Sequence, residues 1–309
     1  SSSPLRIRES AASKPSSTFT RASSKNVFDA AGALTPVAAD TIATDHSPST
    51  LTKLGALFEV ARTNSLRNNT MAGGGAGVLP NFWTSSGTTV AGITRTVVGT
   101  GAEDGIAYVD IQFSGTTTGS LGYELGFDAY DQIAAVAGQS WTNSMFARLV
   151  AGALTNAQLT LWVSGRLANG SSASDQGSVV VAPTSAALRT QRFGLARTFT
   201  GGTVARGIGF LYVFASTSGL AINFTLRIGL PQFEQGATIT SPIATSTAAF
   251  ARVIDALTLT PLAGGSLTWR ARYDDDSTGT IAAGVTGAYA VDPATLTRPR
   301  VKTIWAATS

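Results

Sequence analysis

The chain has 309 residues, with 22 Lys+Arg against 18 Asp+Glu, 13% of residues charged, no cysteine and one histidine, where an average soluble protein is about 25% charged. The length predicts one to two domains with a sizeable core, and the missing cysteine excludes a disulfide framework, a Cys-ligated metal and a thiol nucleophile, while the single His46 leaves no room for a Ser-His-Asp triad or a His-rich metal site. A net charge of +4 spread over this length offers no field to nucleic acid, and no run of about 18 apolar residues is present to span a membrane.

Abundant Thr, Val, Gly and Ser favour pleated strands joined by turns, so the composition predicts an all-β chain. The leading segment SSSPLRIRES has charges without an apolar run behind them and does not read as a secretory signal. Its first residue, Ser rather than Met, hints at processing or at preceding residues. Residues 1–60 read as an extended docking arm. Their apolar residues are too widely spaced to form a stripe, and Pro4, Pro15, Pro36 and Pro48 interrupt them. Within the arm, 18–21 and 25–28 are short strands, with Asp29 to Gly32 as a turn. Such an arm needs a surface to lie on, because alone it cannot offset its ordering entropy.

Residues 61–247 carry repeated strand patterns. In Gly105 to Phe113, Ala107, Val109, Ile111 and Phe113 form the core face. Gln158 to Gly165 turns Leu159, Leu161 and Val163 inward and Thr160, Trp162 and Ser164 outward. Gly207 to Ala215 is apolar on both faces, as a central strand would be. Ala221 to Leu230 places Ile222, Phe224, Leu226, Ile228 and Leu230 on one face. Gly- and Ser-rich loops separate these runs, which predicts an antiparallel β-sandwich of the jelly-roll kind. Residues 248–309 read as a small C-terminal β domain with strands around Leu267 to Tyr273 and Val301 to Trp305.

Few residues suggest chemistry. Glu103-Asp104-Gly105 reads as a hairpin turn rather than a catalytic pair. Asp274-Asp275-Asp276 reads as a solvated turn, since its spacing fits no EF-hand loop. His46, beside Pro48, reads as a structural loop residue. No phosphate-binding or nucleophile-elbow pattern is present. The expectation is therefore of no catalytic residue, no metal site, no cofactor and no enzymatic activity. Trp162 stands apart. An outward indole beside Ser164 and Arg166 is a subunit-interface anchor, a stacking platform for a sugar ring, or a ring covered by a loop. Trp83 and Trp141, at strand beginnings, read as core or rim plugs.

The fragments Phe19-Thr20-Arg21-Ala22-Ser23, Asp29 to Gly32, Asp45 to Pro48 and Gly55 to Asn64, followed by Leu79 to Trp83, Val98 to Gly105, and Arg227 to Ile243, occur in an order that resembles virion proteins of tailed bacteriophages. The resemblance covers about residues 18–260. In those proteins such a string precedes a jelly roll like a carbohydrate-binding module. The resemblance implies a surface or appendage protein, such as a head spike, head fibre or tail fibre, located on the particle. It implies partners in copies of the chain itself, other virion proteins and a host-surface polysaccharide. Val60 stands where the pattern has a second acid, and Ala249 to Asp255 departs from its usual closing string. No catalytic group is carried over. Glu59 and Arg62 read from the residues as an ion pair or backbone cap that anchors the arm. Purely structural decoration and glycan depolymerisation are the alternative functions.

Overall fold

The computed structural model describes residues 6–9, 16–88, 92–119, 121–215, 218–261 and 266–308; the arm prolines Pro4 and Pro15 lie outside them. Among the described residues there is no α-helix, only strands and two short 3-10 turns. The all-β antiparallel architecture expected from the sequence is present. The chain divides into two compact units, one made of residues 63–251 and the other of residues 1–62 together with 252–309.

Residues 63–251 form the sandwich. One sheet places Arg192–Thr198, Ser140–Ala153, Ala221–Gln235, Ile106–Thr116 and Ile93–Glu103 side by side, and the other places Ser172–Val181, Gln158–Arg166, Arg206–Ala215, Leu121–Gly126 and Thr84–Thr88. Counted along the chain from Ile106–Thr116, the sixth, third, eighth and first strands are neighbours in one sheet, and the fifth, fourth, seventh and second in the other. That is the strand order of a jelly roll, two interlocked Greek keys. Strands Ile93–Glu103 and Thr84–Thr88 extend the two sheets by one strand each. The hairpin at Glu103 forms because Asp104 and Gly105 both take positive φ, +50° and +77°, the turn whose twist matches paired strands.

Alternation fills the interior. Val109, Ile111 and Phe113 pack with Leu159, Leu161 and Val163, with Leu211 and Val213, and with Phe224, Leu226 and Ile228, all buried. Phe113 stacks on Phe224 at 5.2 Å between centroids. Trp83 and Trp141 belong to the same core, the latter stacked on Phe233.

In the second unit the arm and the C-terminal strands pair with one another. Ser16–Thr20 runs antiparallel to Ala256–Thr260, Lys53–Leu57 pairs with Arg300–Thr308, and Arg6–Glu9 lies parallel to the same Arg300–Thr308 strand. The terminal regions, read from the sequence as an arm and a separate small domain, thus build one set of sheets. Together they bury Phe58, Leu257, Leu259, Trp269, Tyr273, Val301 and Ile304.

The same unit encloses a cluster of five charged side chains in mutual contact. Arg21, Lys25, Arg252 and Asp255 are at most 2% exposed, and Glu59 is 8% exposed. Arg21 Nη1 contacts Asp255 Oδ1 at 3.1 Å, Arg252 Nη1 contacts Glu59 Oε2 at 3.1 Å, and Lys25 Nζ reaches both Asp255 and Glu59. Further donors go to backbone carbonyls, Arg21 Nη2 to Ala38, Lys25 Nζ to Leu57 and Arg252 Nη2 to Val60. A buried charge is tolerated only when paired and hydrogen-bonded. The anchor expected at Glu59 and Arg62 resolves unequally. Glu59 sits in this cluster, whereas Arg62 donates to the carbonyl of its neighbour Ala61 and has no carboxylate partner among the described residues.

Candidate functional site

The outward face of the sandwich sheet that contains Gln158–Arg166 is aromatic. Because the inward positions of Arg206–Ala215 are taken by Leu211 and Val213, its outward positions are Phe210, Tyr212 and Phe214. Register places Phe210 beside Trp162 on one neighbour and beside Gly126 on the other. It also places Tyr212 between Thr160 and Glu124, with Ser86 next in the row. Trp162 lies flat on Phe210, with centroids 5.7 Å apart and planes 7° from parallel, and meets Tyr212 edge-on. Tyr212 in turn stacks on Phe214. Trp162, Tyr212 and Phe214 stay half-exposed, while Phe210 is buried beneath them.

Glycines make room for this. A methyl group at Gly122 would sit 2.4 Å from Tyr212 Oη, and one at Gly126 would sit 2.4 Å from Thr84 Oγ1. Substitution at Gly122 would therefore displace the Tyr212 hydroxyl, and at Gly126 the Thr84 side chain.

Beside the aromatic row opens a pocket of about 290 Å³ lined by Ser86, Glu124, Tyr130, Asp131, Arg166, Asn169 and Gly170. Arg166 joins the two features: its guanidinium lies over Tyr130, 4.6 Å from the ring centroid, and over Phe210 at 5.5 Å. Its nearest carboxylate oxygen, on Glu124, is 3.9 Å away. Glu124 also accepts from Tyr130 Oη at 3.0 Å and from Ser86 Oγ at 3.4 Å. Burial pushes the Tyr130 phenol up to about 12, and the adjacent carboxylate pushes the same way against the Ser86 hydrogen bond, so Tyr130 stays a neutral donor. Burial likewise pulls the Arg166 guanidinium below its ordinary value, against the pull of Glu124.

Two donors here are left over. Trp162 Nε1 and Arg166 Nε are shielded from solvent and have no hydrogen-bond partner among the described residues. A buried unpaired donor costs about 1–3 kcal/mol, so each is a place where an arriving acceptor is worth more than on an open surface.

Of the residues expected to bind, Trp162 and Arg166 share this face. Ser164 does not reach it. It is fully buried, and its hydroxyl bonds to the carbonyl of Gly165 at 3.4 Å. Sequence reading missed Phe210, Tyr212 and Phe214, although their alternation within an apolar strand was there to find. Glu124 and Asp131 were visible only as two of several acids that sequence could not place together, and Tyr130 and Ser86, which arrive from a loop and another strand, carry no local signal.

The other polar candidates are satisfied internally. Asp274 pairs with Arg298 at 3.1 Å through its Nη2, and Asp276 pairs with Arg272 and Lys302 at 3.0 and 2.7 Å. Among the described residues no group of three His, Cys, Asp or Glu is placed to hold a metal ion. His46 Nδ1 donates to the Phe28 carbonyl at 3.1 Å. No helix of the described residues is long and apolar enough to cross a membrane.

No protein-family profile matches the sequence, and no curated protein does. Solved structures similar to it include the CBM22-1 xylan-binding domain from Paenibacillus barcinonensis, at 17% identity and TM-score 0.31, covering 57% of this chain and 94% of that one. They include the enzymatically active domain of tailspike protein 4 of bacteriophage CBA120, at 14% identity and TM-score 0.32, covering 50% and 20%. They also include an arabinose-bound α-L-arabinofuranosidase, at 12% identity and TM-score 0.37, covering 58% and 27%. The chain thus spans only a fifth to about a quarter of the latter two, and at these scores none of the three lends a residue role. One expectation is corrected by this set. The sequence was read as that of a non-enzyme, yet an arabinofuranosidase and an enzymatically active tailspike domain stand among the similar structures, so catalysis belongs among the activities to be assayed.

Proposed function

We propose that residues 63–251 bind a glycan on the aromatic face formed by Trp162, Phe210, Tyr212 and Phe214, with the Arg166 pocket holding hydroxyl groups. The observation that carries this reading is the pairing of half-exposed stacked rings with adjacent unpartnered donors. A sugar ring has an apolar C–H face that stacks on an indole or phenol. Its hydroxyls both donate and accept, and the site offers acceptor-only Glu124 and Asp131 beside donor-only Arg166.

The order of sequence fragments from Phe19 to Ile243 supports a wider role for the chain as a surface or appendage component of a phage-type particle. There it would assemble with copies of itself and other virion proteins and hold a host-surface polysaccharide. Pure decoration is the competing role.

The test is a glycan array probed with the whole chain and with Trp162→Ala. Binding by the parent and its loss in the variant support the reading; no binding to any glycan removes it and leaves decoration. The same incubations are assayed for released reducing sugar, since Glu124 and Asp131 both line the pocket. Particle location is tested by labelling assembled particles with an antibody to this chain.

A further inference from the structure

The charged cluster of the terminal unit contains an amine and a carboxyl group placed for condensation. We propose that Lys25 and Asp255 form an intramolecular isopeptide bond, with Glu59 relaying the proton between them.

Lys25 lies at the start of the Lys25–Phe28 strand and Asp255 just before Ala256–Thr260, 230 positions apart in sequence. Their side chains are hydrogen-bonded to one another and have no exposed surface. Glu59 Oε2 is 3.4 Å from Lys25 Nζ, and the Glu59 N–H donates to Asp255 Oδ2 at 2.7 Å. Burial pulls the Lys25 ammonium below its ordinary value, against Glu59 and Asp255, which pull it up. The other charged groups facing the pair are Arg21, on Asp255 Oδ1, and Arg252, on Glu59.

Each has a place in the reaction. Arg252 holds the Glu59 carboxylate beside the pair, where it can act as a base. Arg21 lies on the oxygen where negative charge develops when nitrogen adds to Cγ, the position at which a fixed cation is most effective. The Nζ lone pair forms the new C–N bond. Glu59 takes protons from nitrogen and passes them to Oδ2, the Cγ–Oδ2 bond breaks, and Oδ2 leaves as water. An ammonium and a carboxylate become one neutral amide and one water, with no oxidant or reductant. In bulk water the reverse reaction wins. Here water is excluded, the partners are held in contact, which is worth a large effective concentration, and the product removes a buried ion pair whose desolvation is expensive. The bond would tie the two terminal segments together in a chain that has no cysteine to do so.

Intact mass spectrometry of the purified whole chain, denatured before injection, tests this. The expected mass is one water below the sequence value, with a digest yielding Lys25 and Asp255 peptides joined. Lys25→Arg keeps the cation without a primary amine and restores its full sequence mass. Asp255→Asn still condenses but loses one ammonia, and Glu59→Gln retains its full sequence mass. A parent chain at its full sequence mass, with the two peptides recovered separately, overturns the proposal whatever the variants do.

Discussion

In the terminal unit a cluster of five charged side chains is buried, and each member has an opposite charge beside it. In the sandwich, Arg166 is only 9% exposed, yet its nearest carboxylate oxygen is 3.9 Å away and its Nε has no partner among the described residues. Both regions place cations against aromatic rings, since Arg21 lies over Phe19 as Arg166 lies over Tyr130. The difference is charge pairing. Where the fold sets each buried charge against an opposite one, polar residues fasten strands that come from distant parts of the chain. Where it leaves donors unpaired beside half-exposed rings, the arrangement suits something outside the chain. Burial and charge are common to both, so neither alone marks a site.

The comparison can be broken at either end. Asp255→Ala takes one anion from a cluster holding three cations and two anions, and removing one partner of a buried pair costs about 3–5 kcal/mol. Urea unfolding should show a loss of that order, and a loss under about 1 kcal/mol would mean the cluster is solvated and the contrast with Arg166 false. Trp162→Ala should weaken glycan binding by about 2 kcal/mol, roughly 30-fold, as loss of an anchoring aromatic does. Calorimetric titration measures it, with circular dichroism confirming an unchanged fold; unaltered affinity would detach the aromatic face from function.

A smaller effect separates structural carboxylates within the sandwich from those of the pocket. Burial pushes Asp175 up, but N–H groups of Gly201 and Thr200 together with the Arg197 guanidinium outweigh it and hold the carboxyl below its ordinary value. A depressed folded-state value contributes stability that is complete above the unfolded value of about 3.9 and is lost as pH falls through the folded value. Wild type should therefore exceed Asp175→Asn in stability at neutral pH, with the gap closing on acidification below about pH 4. A gap independent of pH would contradict the ionised, saturated state assigned to Asp175. The smallest effect is expected from Ser164→Ala. This hydroxyl is turned away from the pocket, so glycan affinity should stay within about twofold, less than the worth of one net hydrogen bond, and a larger loss by titration would return Ser164 to the site.

Much of this was legible in the residues. Alternation located Leu159, Leu161 and Val163 on the core side and Trp162 outside, because side-chain direction in a strand follows sequence parity. It could not tell that outward Ser164 would be covered, since burial of an outward residue depends on what the rest of the fold lays over it. The arm was recognisable as strands needing a surface, but its partner strand Ala256–Thr260 lies more than 200 positions away, and no local pattern encodes such a pairing. Glu59 was singled out and Arg21 fell within a quoted fragment, but Lys25 was read only as part of a short strand and Asp255 only in a departing string, so nothing local signalled that the four converge. Gly122 and Gly126 drew no attention in the sequence, since nothing local shows that each faces a side chain of another strand. Only the register shows which neighbour each one accommodates.

The most direct test of the central claim is the set of indole N–H resonances in a nitrogen-labelled sample titrated with a glycan that the array identifies. The chain has five tryptophans, and Trp162→Ala assigns one signal by its disappearance. The account predicts that this signal moves with glycan concentration while those of the core residues Trp83, Trp141 and Trp269 stay fixed. Saturable binding with the Trp162 signal unmoved would contradict it.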